Sequence, residues 1–257
     1  MANQTYQLVL NSQPNRQLLF FIFSSTICSY SFHWYLTARS VIPSPRIDWL
    51  QQNRKIHLLF FFIGLIGSGI LFFYLQNYWY WLLLAAVITF LYSAPKIPHP
   101  YFRALRKIAL GKTIFLALVW MFVTTILPIA VSQQPWRNDF LLFILSRFFL
   151  IYAICILFDF RDREDDKAAG IRSLITFLSN RNISVLFVFT LIIFAVVTIW
   201  MLQYGYSPLQ IVLLLLPGII TACLYNYARR NFSDMLYYFV LDGLMALSAI
   251  LMLIAAV

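Results

Sequence analysis

Residues 156–174 read ILFDFRDREDDKAAGIRSL, and five of the chain's nine acidic residues fall in the eight positions from Asp159 to Asp166. Carboxylates at that density repel one another unless a cation bridges them or some stay protonated. If the apolar run before them continues as a helix, Asp159, Asp162 and Asp166 share a sector of about 60°. Three carboxylates on one stripe suit Mg2+, which takes a few carboxylates, keeps waters and binds substrate phosphates as well. Arg161, Glu164 and Asp165 point elsewhere and have the spacing of surface ion pairs. The plain alternative is a solvated helix end whose charges mark the membrane boundary. Against it, the run is the only acidic one in the chain, whereas cytoplasmic loops ordinarily favour Lys and Arg.

The elements that must position this stripe are membrane helices. The chain is 62% hydrophobic and 11% charged, with a mean hydropathy of +0.80, against about half apolar and a quarter charged in soluble domains. Crossing a bilayer takes about 20 apolar residues in a helix, and in lipid only helices or closed barrels satisfy the whole backbone. The apolar blocks are far longer than the alternating strands of an outer-membrane barrel. The expectation is an all-α integral membrane protein, a bundle of about eight spans forming one membrane domain over residues 1–257. The spans fall near 18–38, 57–75, 78–94, 113–132, 140–158, 183–203, 208–227 and 235–256. The first 17 residues are polar, lack a basic signal-peptide region and carry only Arg16, so the first span is read as retained.

The net charge of +10 is a topology signal. Sixteen of the nineteen Lys and Arg residues lie in the four loops after spans 1, 3, 5 and 7, leaving Arg16 and Arg137 opposite and Arg147 within a span. The positive-inside rule then puts those loops in the cytoplasm and both termini outside, in keeping with an even span count and with a bacterial inner membrane. No nucleic-acid partner is implied. Cys28, Cys155 and Cys223 sit within apolar spans and imply neither a disulfide framework nor a zinc site. The extracytoplasmic connections are short and the cytoplasmic ones long and charged, so function is expected on the cytoplasmic face. Gly64, Gly67 and Gly69 bring small residues to one side of the second span, either for helix packing or for a close crossing beside a ligand. Pro128 and Pro217 are expected to kink their spans.

The run DFRDREDDKAAGIRSL resembles the second Asp-rich motif of the UbiA-type membrane prenyltransferases, D-x-x-D-x-E-x-D-[KR]-x-x-G-[IV]-[KR]-[ST]-L. Asp159, Asp162, Glu164, Asp166, Lys167, Gly170, Ile171, Arg172, Ser173 and Leu174 fit it. FLYSAPKIP, residues 90–98, is similar to the Tyr-Ser/Thr-x-x-Lys segment that closes the family's fourth helix, and LRKIALGKTIFLALVW to the entry of its fifth. The resemblance implies a helical bundle around a cavity open to the cytoplasmic side. It also implies a prenyl diphosphate bound through Mg2+ and transfer of the prenyl group to an aromatic or other acceptor. On the same ground Asp159, Asp162 and Asp166 would be metal ligands, with Lys96, Arg103 and Arg172 binding the diphosphate.

One part of the pattern is missing. The family's first motif, N-x-x-x-D-x-x-x-D, should end the first span here, where the chain reads CSYSFHWYLTARS and has Ser31, Tyr35 and Arg39 at the three positions; no carboxylate precedes Asp48. The family's first helix also has no counterpart, since members usually have nine spans with the N-terminus inside. Arg39 could supply a fixed positive charge in place of a second metal, because Arg grips phosphate bidentately; loss or repurposing of the site is the rival reading. His33 could act as a general base on an acceptor hydroxyl or be structural. Lys96, Arg103 and Lys107 could cap the cavity or contact anionic headgroups. Arg147 and Asp242, the ionisable residues deepest in spans, read as a gate or as a buried structural pair.

The leading expectation is a divergent, Mg2+-assisted prenyltransferase. A non-catalytic member of the fold holding a lipid or phosphate ligand is the second. A transporter coupled through Arg147 and Asp242 is the third; it would predict an inverted repeat, and none is visible.

Overall fold

A computed structural model describes residues 1–37, 45–97, 99, 101–102, 112–168 and 173–255. Every regular element among them is helical. The chain forms two compact units, each built from separated segments: residues 14–110 with 164–172, and residues 1–13 with 111–163 and 173–257.

The smaller unit contains α1 (Arg16–Tyr35), α2 (Pro45–Gln52), α3 (Arg54–Tyr74) and α4 (Trp79–Ser93). Asn15 starts α1 by accepting the Leu18 N–H on its side chain, the usual means of satisfying a free helix N-terminus. α1 and α3 pack closely, and Gly64 shows why. A Cβ built there would lie 2.5 Å from the Cys28 nitrogen and 2.6 Å from the Ser24 carbonyl oxygen. Of the two readings of this glycine stripe the structure shows helix packing: the backbones touch because one side has no side chain. Elsewhere α3 exposes Leu59, Phe62, Ile63, Ile66 and Phe73, the surface of a helix that faces lipid.

The larger unit contains α5 (Thr113–Ser132), α6 (Asn138–Arg161), α8 (Asn180–Trp200), α9 (Pro208–Ala228) and α10 (Leu236–Ala255), with the short α7 (Arg163–Ala168) beginning at its edge. α6 is the central helix: 72% of its apolar window is buried, against 6% for α3. Each of the eight expected spans coincides with a helix. Six of them, α3, α5, α6, α8, α9 and α10, meet both the length and the hydropathy needed to cross a bilayer. α4 has only 15 residues, and α1 has the length but not the hydropathy. This is an integral membrane protein. Exposed Tyr74, Trp79 and Tyr80 on the smaller unit, and Trp136, Trp200 and Tyr204 on the larger, stand at helix ends, where amphipathic rings favour the headgroup level.

The polar first residues are folded into the larger unit. Ala2–Gln4 and Thr5–Val9 form two short helical turns, and Gln4, Thr5, Tyr6, Leu8 and Val9 are buried within the larger unit. Polar side chains make this possible. Pro128 has no N–H for the Thr124 carbonyl one turn before it, and the Thr5 hydroxyl donates to that oxygen at 2.8 Å. The Gln4 side-chain oxygen accepts from Arg147 Nη2 at 2.5 Å, and Ser248 Oγ accepts from the same nitrogen at 2.8 Å. Further out, Arg137 binds Asp139 at 2.6 Å and donates to the Val9 carbonyl at 2.8 Å; its hydrogen bond to Asp139 holds the guanidinium above its ordinary pKa. Tyr206 donates to the same carboxylate at 2.9 Å, and burial pushes its phenol up.

Arg147 and Asp242 are therefore not an ion pair. Asp242 lies six residues before Ser248 on α10, about 9 Å along the axis, while Arg147 spends its donors on neutral oxygens and lies over the Phe143 ring at 5.0 Å. A buried guanidinium stripped of an acceptor is costly. Gln4→Leu should thus lower stability by about 2–3 kcal/mol, whereas Arg147→Met, which removes the charge itself, should cost less. Thermal unfolding in detergent measures both; a fully stable Gln4→Leu variant would show that Gln4 does not hold Arg147.

Candidate functional site

The acidic stripe is divided. α6 ends at Arg161, and Asp162 caps it with φ −81° and ψ 0° while its N–H still bonds the Phe158 carbonyl at 3.0 Å. α7 restarts at Arg163. The expected continuous helix through all three aspartates is thus interrupted at the middle one. Asp159 and Asp162 belong to the larger unit and Asp166 to the smaller.

Asp159 is 4% exposed and accepts the hydroxyl of Thr113, the first residue of α5, on Oδ2. Thr113 is a partner that no sequence spacing announced. Asp162 accepts Arg161 Nε at 2.8 Å and remains partly open. Arg161 does not point away as a surface residue; it lies among aromatics, 4.5 Å over Tyr238 and 4.7 Å over Tyr237, and donates Nη2 to the Tyr238 hydroxyl. Its Nη1 is buried without an acceptor. Asp166 is 5% exposed on α7; in place of the expected pairing with Arg161, which binds Asp162, Glu164 pairs with Lys167 at 2.8 Å.

The smaller unit holds the second cluster, where α1 ends and α4 ends. Lys96 Nζ is 2.7 Å from His33 Nε2 and 2.7 Å from Thr37 Oγ1, and lies 5.6 Å above the Trp34 ring. An ammonium can only donate, so Nε2 accepts and the ring proton sits on Nδ1, which reaches Ser93 Oγ at 3.2 Å. Tyr92 stacks on the imidazole at 5.1 Å. Both ring nitrogens are thereby engaged, Nε2 by Lys96 and Nδ1 by Ser93. The Thr37 hydroxyl in turn donates to the His33 carbonyl at 2.8 Å, a contact one helical turn long that the i,i+4 spacing could have revealed. Arg39, Arg103, Lys107 and Arg172 lie outside the described residues.

Residues 16–252 match the family model described as the UbiA prenyltransferase family. The chain belongs to the UbiA prenyltransferase family. At family level it is a prenyltransferase-type membrane protein, and the UbiA-like helical bundle expected from its acidic motif is the one observed. No curated protein and no solved structure matches the chain significantly. For a UbiA member the donor chemistry at the second motif fits Mg2+: aspartate oxygens, two of the three carboxylates buried, and neither thiol nor imidazole among them. Among the described residues no three His, Cys, Asp or Glu side chains gather into a ready-made metal cage.

The Lys96 cluster gives a direct prediction. His33→Leu should weaken binding of a prenyl diphosphate about five- to tenfold by releasing Lys96, the worth of about one hydrogen bond to a charged group. His33→Gln keeps an acceptor and should restore most of the affinity. Titration calorimetry with geranylgeranyl diphosphate measures both; equal affinity in the leucine variant and the parent would remove His33 from binding.

Proposed function

We propose that the protein is a divergent UbiA-type prenyltransferase that moves an isoprenyl group from a prenyl diphosphate to an acceptor with the help of Mg2+. The observation that carries this reading is the buried Asp159 carboxylate, anchored by Thr113 at the head of the motif that links the chain to the family. On the strength of the motif, Asp159 and Asp162 would hold the ion. Bound there, Mg2+ neutralises charge on the diphosphate as it leaves. The chain's own groups do the rest. The Thr113 hydroxyl fixes which oxygen of Asp159 faces outward, Arg161 orients Asp162, and Lys96, held by neutral His33 and Thr37, offers a fixed ammonium to phosphate oxygens. Arg103, Arg172 and Arg39 are proposed as further phosphate ligands on the strength of the motif.

The charge asymmetry supports a placement with the four basic loops in the cytoplasm and both termini outside, in a bacterial inner membrane. One observation favours a second reading, a member that binds prenyl diphosphate without turnover: Ser31, Tyr35 and Arg39 replace the first motif, and the nearby described cluster is cationic. A fixed cation retains the ligand without the mobility of a metal–phosphate pair.

The test is binding of geranylgeranyl diphosphate to the purified protein with and without Mg2+, repeated with Asp162→Asn. Mg2+-dependent binding that the variant loses is the expected result. Equal binding in Mg2+ and EDTA would overturn the metal assignment, and no binding under either condition would sink the prenyl diphosphate reading altogether.

A further inference from the structure

We propose that Arg163, which stands between Asp162 and Glu164 of the acidic motif, and Arg229 form a phosphate-binding site at the end of the larger unit that the function proposed above does not use. Three long helices converge there. Arg163 follows α6 and opens α7; it donates Nη1 to the Asn180 side-chain oxygen and Nη2 to the Leu178 carbonyl, each at 3.0 Å. Arg229 caps α9 and donates Nη1 to Ser184 Oγ at 3.2 Å, one turn beyond Asn180 on α8. The Tyr225 hydroxyl donates to the same Ser184 oxygen at 2.7 Å. Two guanidinium groups thus attach to consecutive turns of one helix.

Every acceptor in this arrangement is neutral. Neither arginine is ion-paired with a described carboxylate, and the Nε of each is buried with no hydrogen-bond partner. Arg229 is held flat, 4.7 Å over Phe160 and 5.2 Å over Tyr225. Guanidinium groups held only by neutral acceptors keep their charge uncancelled, and that charge attracts phosphate oxygens. Exposed Arg181 and Arg230 adjoin the same helix ends and add to the local positive potential. The site stands at the ends of membrane helices, where a phosphate can come from an anionic lipid headgroup or from a free phosphate compound; the shared ligand is the phosphate group.

Two probes separate those sources in the full-length protein. Native mass spectrometry from nanodiscs of phosphatidylcholine with one-fifth phosphatidylglycerol reads retention of the anionic lipid, and inorganic diphosphate added in detergent reads the free anion. Arg163→Gln with Arg229→Gln should cut binding in one of the two arms about 25-fold, taking each charge near the surface as worth about fivefold. Arg181→Gln with Arg230→Gln, which alters the same end by the same charge, should leave most of it. An unchanged melting temperature in the first double variant would certify its fold, and Arg163→Lys with Arg229→Lys should fall between. If neither probe binds, or if the two double variants lose binding equally, the site is overturned in favour of a diffuse basic surface.

Discussion

Replacement of Asp159 by asparagine should weaken Mg2+-dependent binding of geranylgeranyl diphosphate by about a hundredfold or more, the loss usual when a group that organises phosphate charge is removed. The expectation rests on how little else the substitution changes. Asparagine has the same shape, and its amide oxygen can still accept the Thr113 hydroxyl, so the helix end keeps its packing while losing its charge. Thr113→Val is the companion. It leaves the carboxylate in place, 4% exposed, without that donor, and it should weaken binding by about tenfold. Calorimetric titration across a range of Mg2+ concentrations measures both variants. Affinity and Mg2+ dependence identical to the parent in Asp159→Asn would exclude Asp159 as a ligand and with it the metal assignment.

The second large effect is structural. Gly64→Leu should cost about 3 kcal/mol or more, because overpacking at a rigid contact cannot be relieved by a side-chain rotation. The atoms in the way are backbone, the Cys28 nitrogen at 2.5 Å and the Ser24 oxygen at 2.6 Å from the added Cβ. Gly69 on the same helix meets nothing within 4 Å, so Gly69→Leu serves as a control expected to be nearly neutral. Unfolding midpoints in detergent compare them. Equal stability of the two variants would mean that the α1–α3 contact opens without cost.

The membrane fold was readable because apolar blocks long enough to cross a bilayer leave few alternatives, and six of the expected spans fall on helices long and apolar enough to do so. Helices extend past the apolar blocks where charge sits near the headgroups: α3 starts at Arg54, whereas the second span was expected from near residue 57, since long cationic side chains reach water from within a helix. The acidic motif was legible as a site but not as a shape. No Gly or Pro marks Asp162, and the break there accompanies tertiary contacts, Arg161 turned toward Asp162 and the Tyr238 hydroxyl. Thr113 was silent for a different reason. A lone hydroxyl carries no pattern, and it becomes informative only when its distant partner is placed beside it. The same holds for Gln4 and Thr5, whose polarity reads as solvation until Arg147 and the Thr124 carbonyl supply buried uses for it.

Those N-terminal turns also bear on the order of folding. Gln4 contacts Ser248 and Met252, partners 244 and 248 positions away in the chain. Residues early in this sequence therefore wait for partners made 244 or more positions later. Contacts of such sequence separation are slow to close, so the larger unit completes only after α10 has been made, and until then the Thr124 carbonyl freed by Pro128 stays without its Thr5 donor. Pulse-labelling of a chain stalled before α10 would find Gln4 accessible, and release of the stall would bury it.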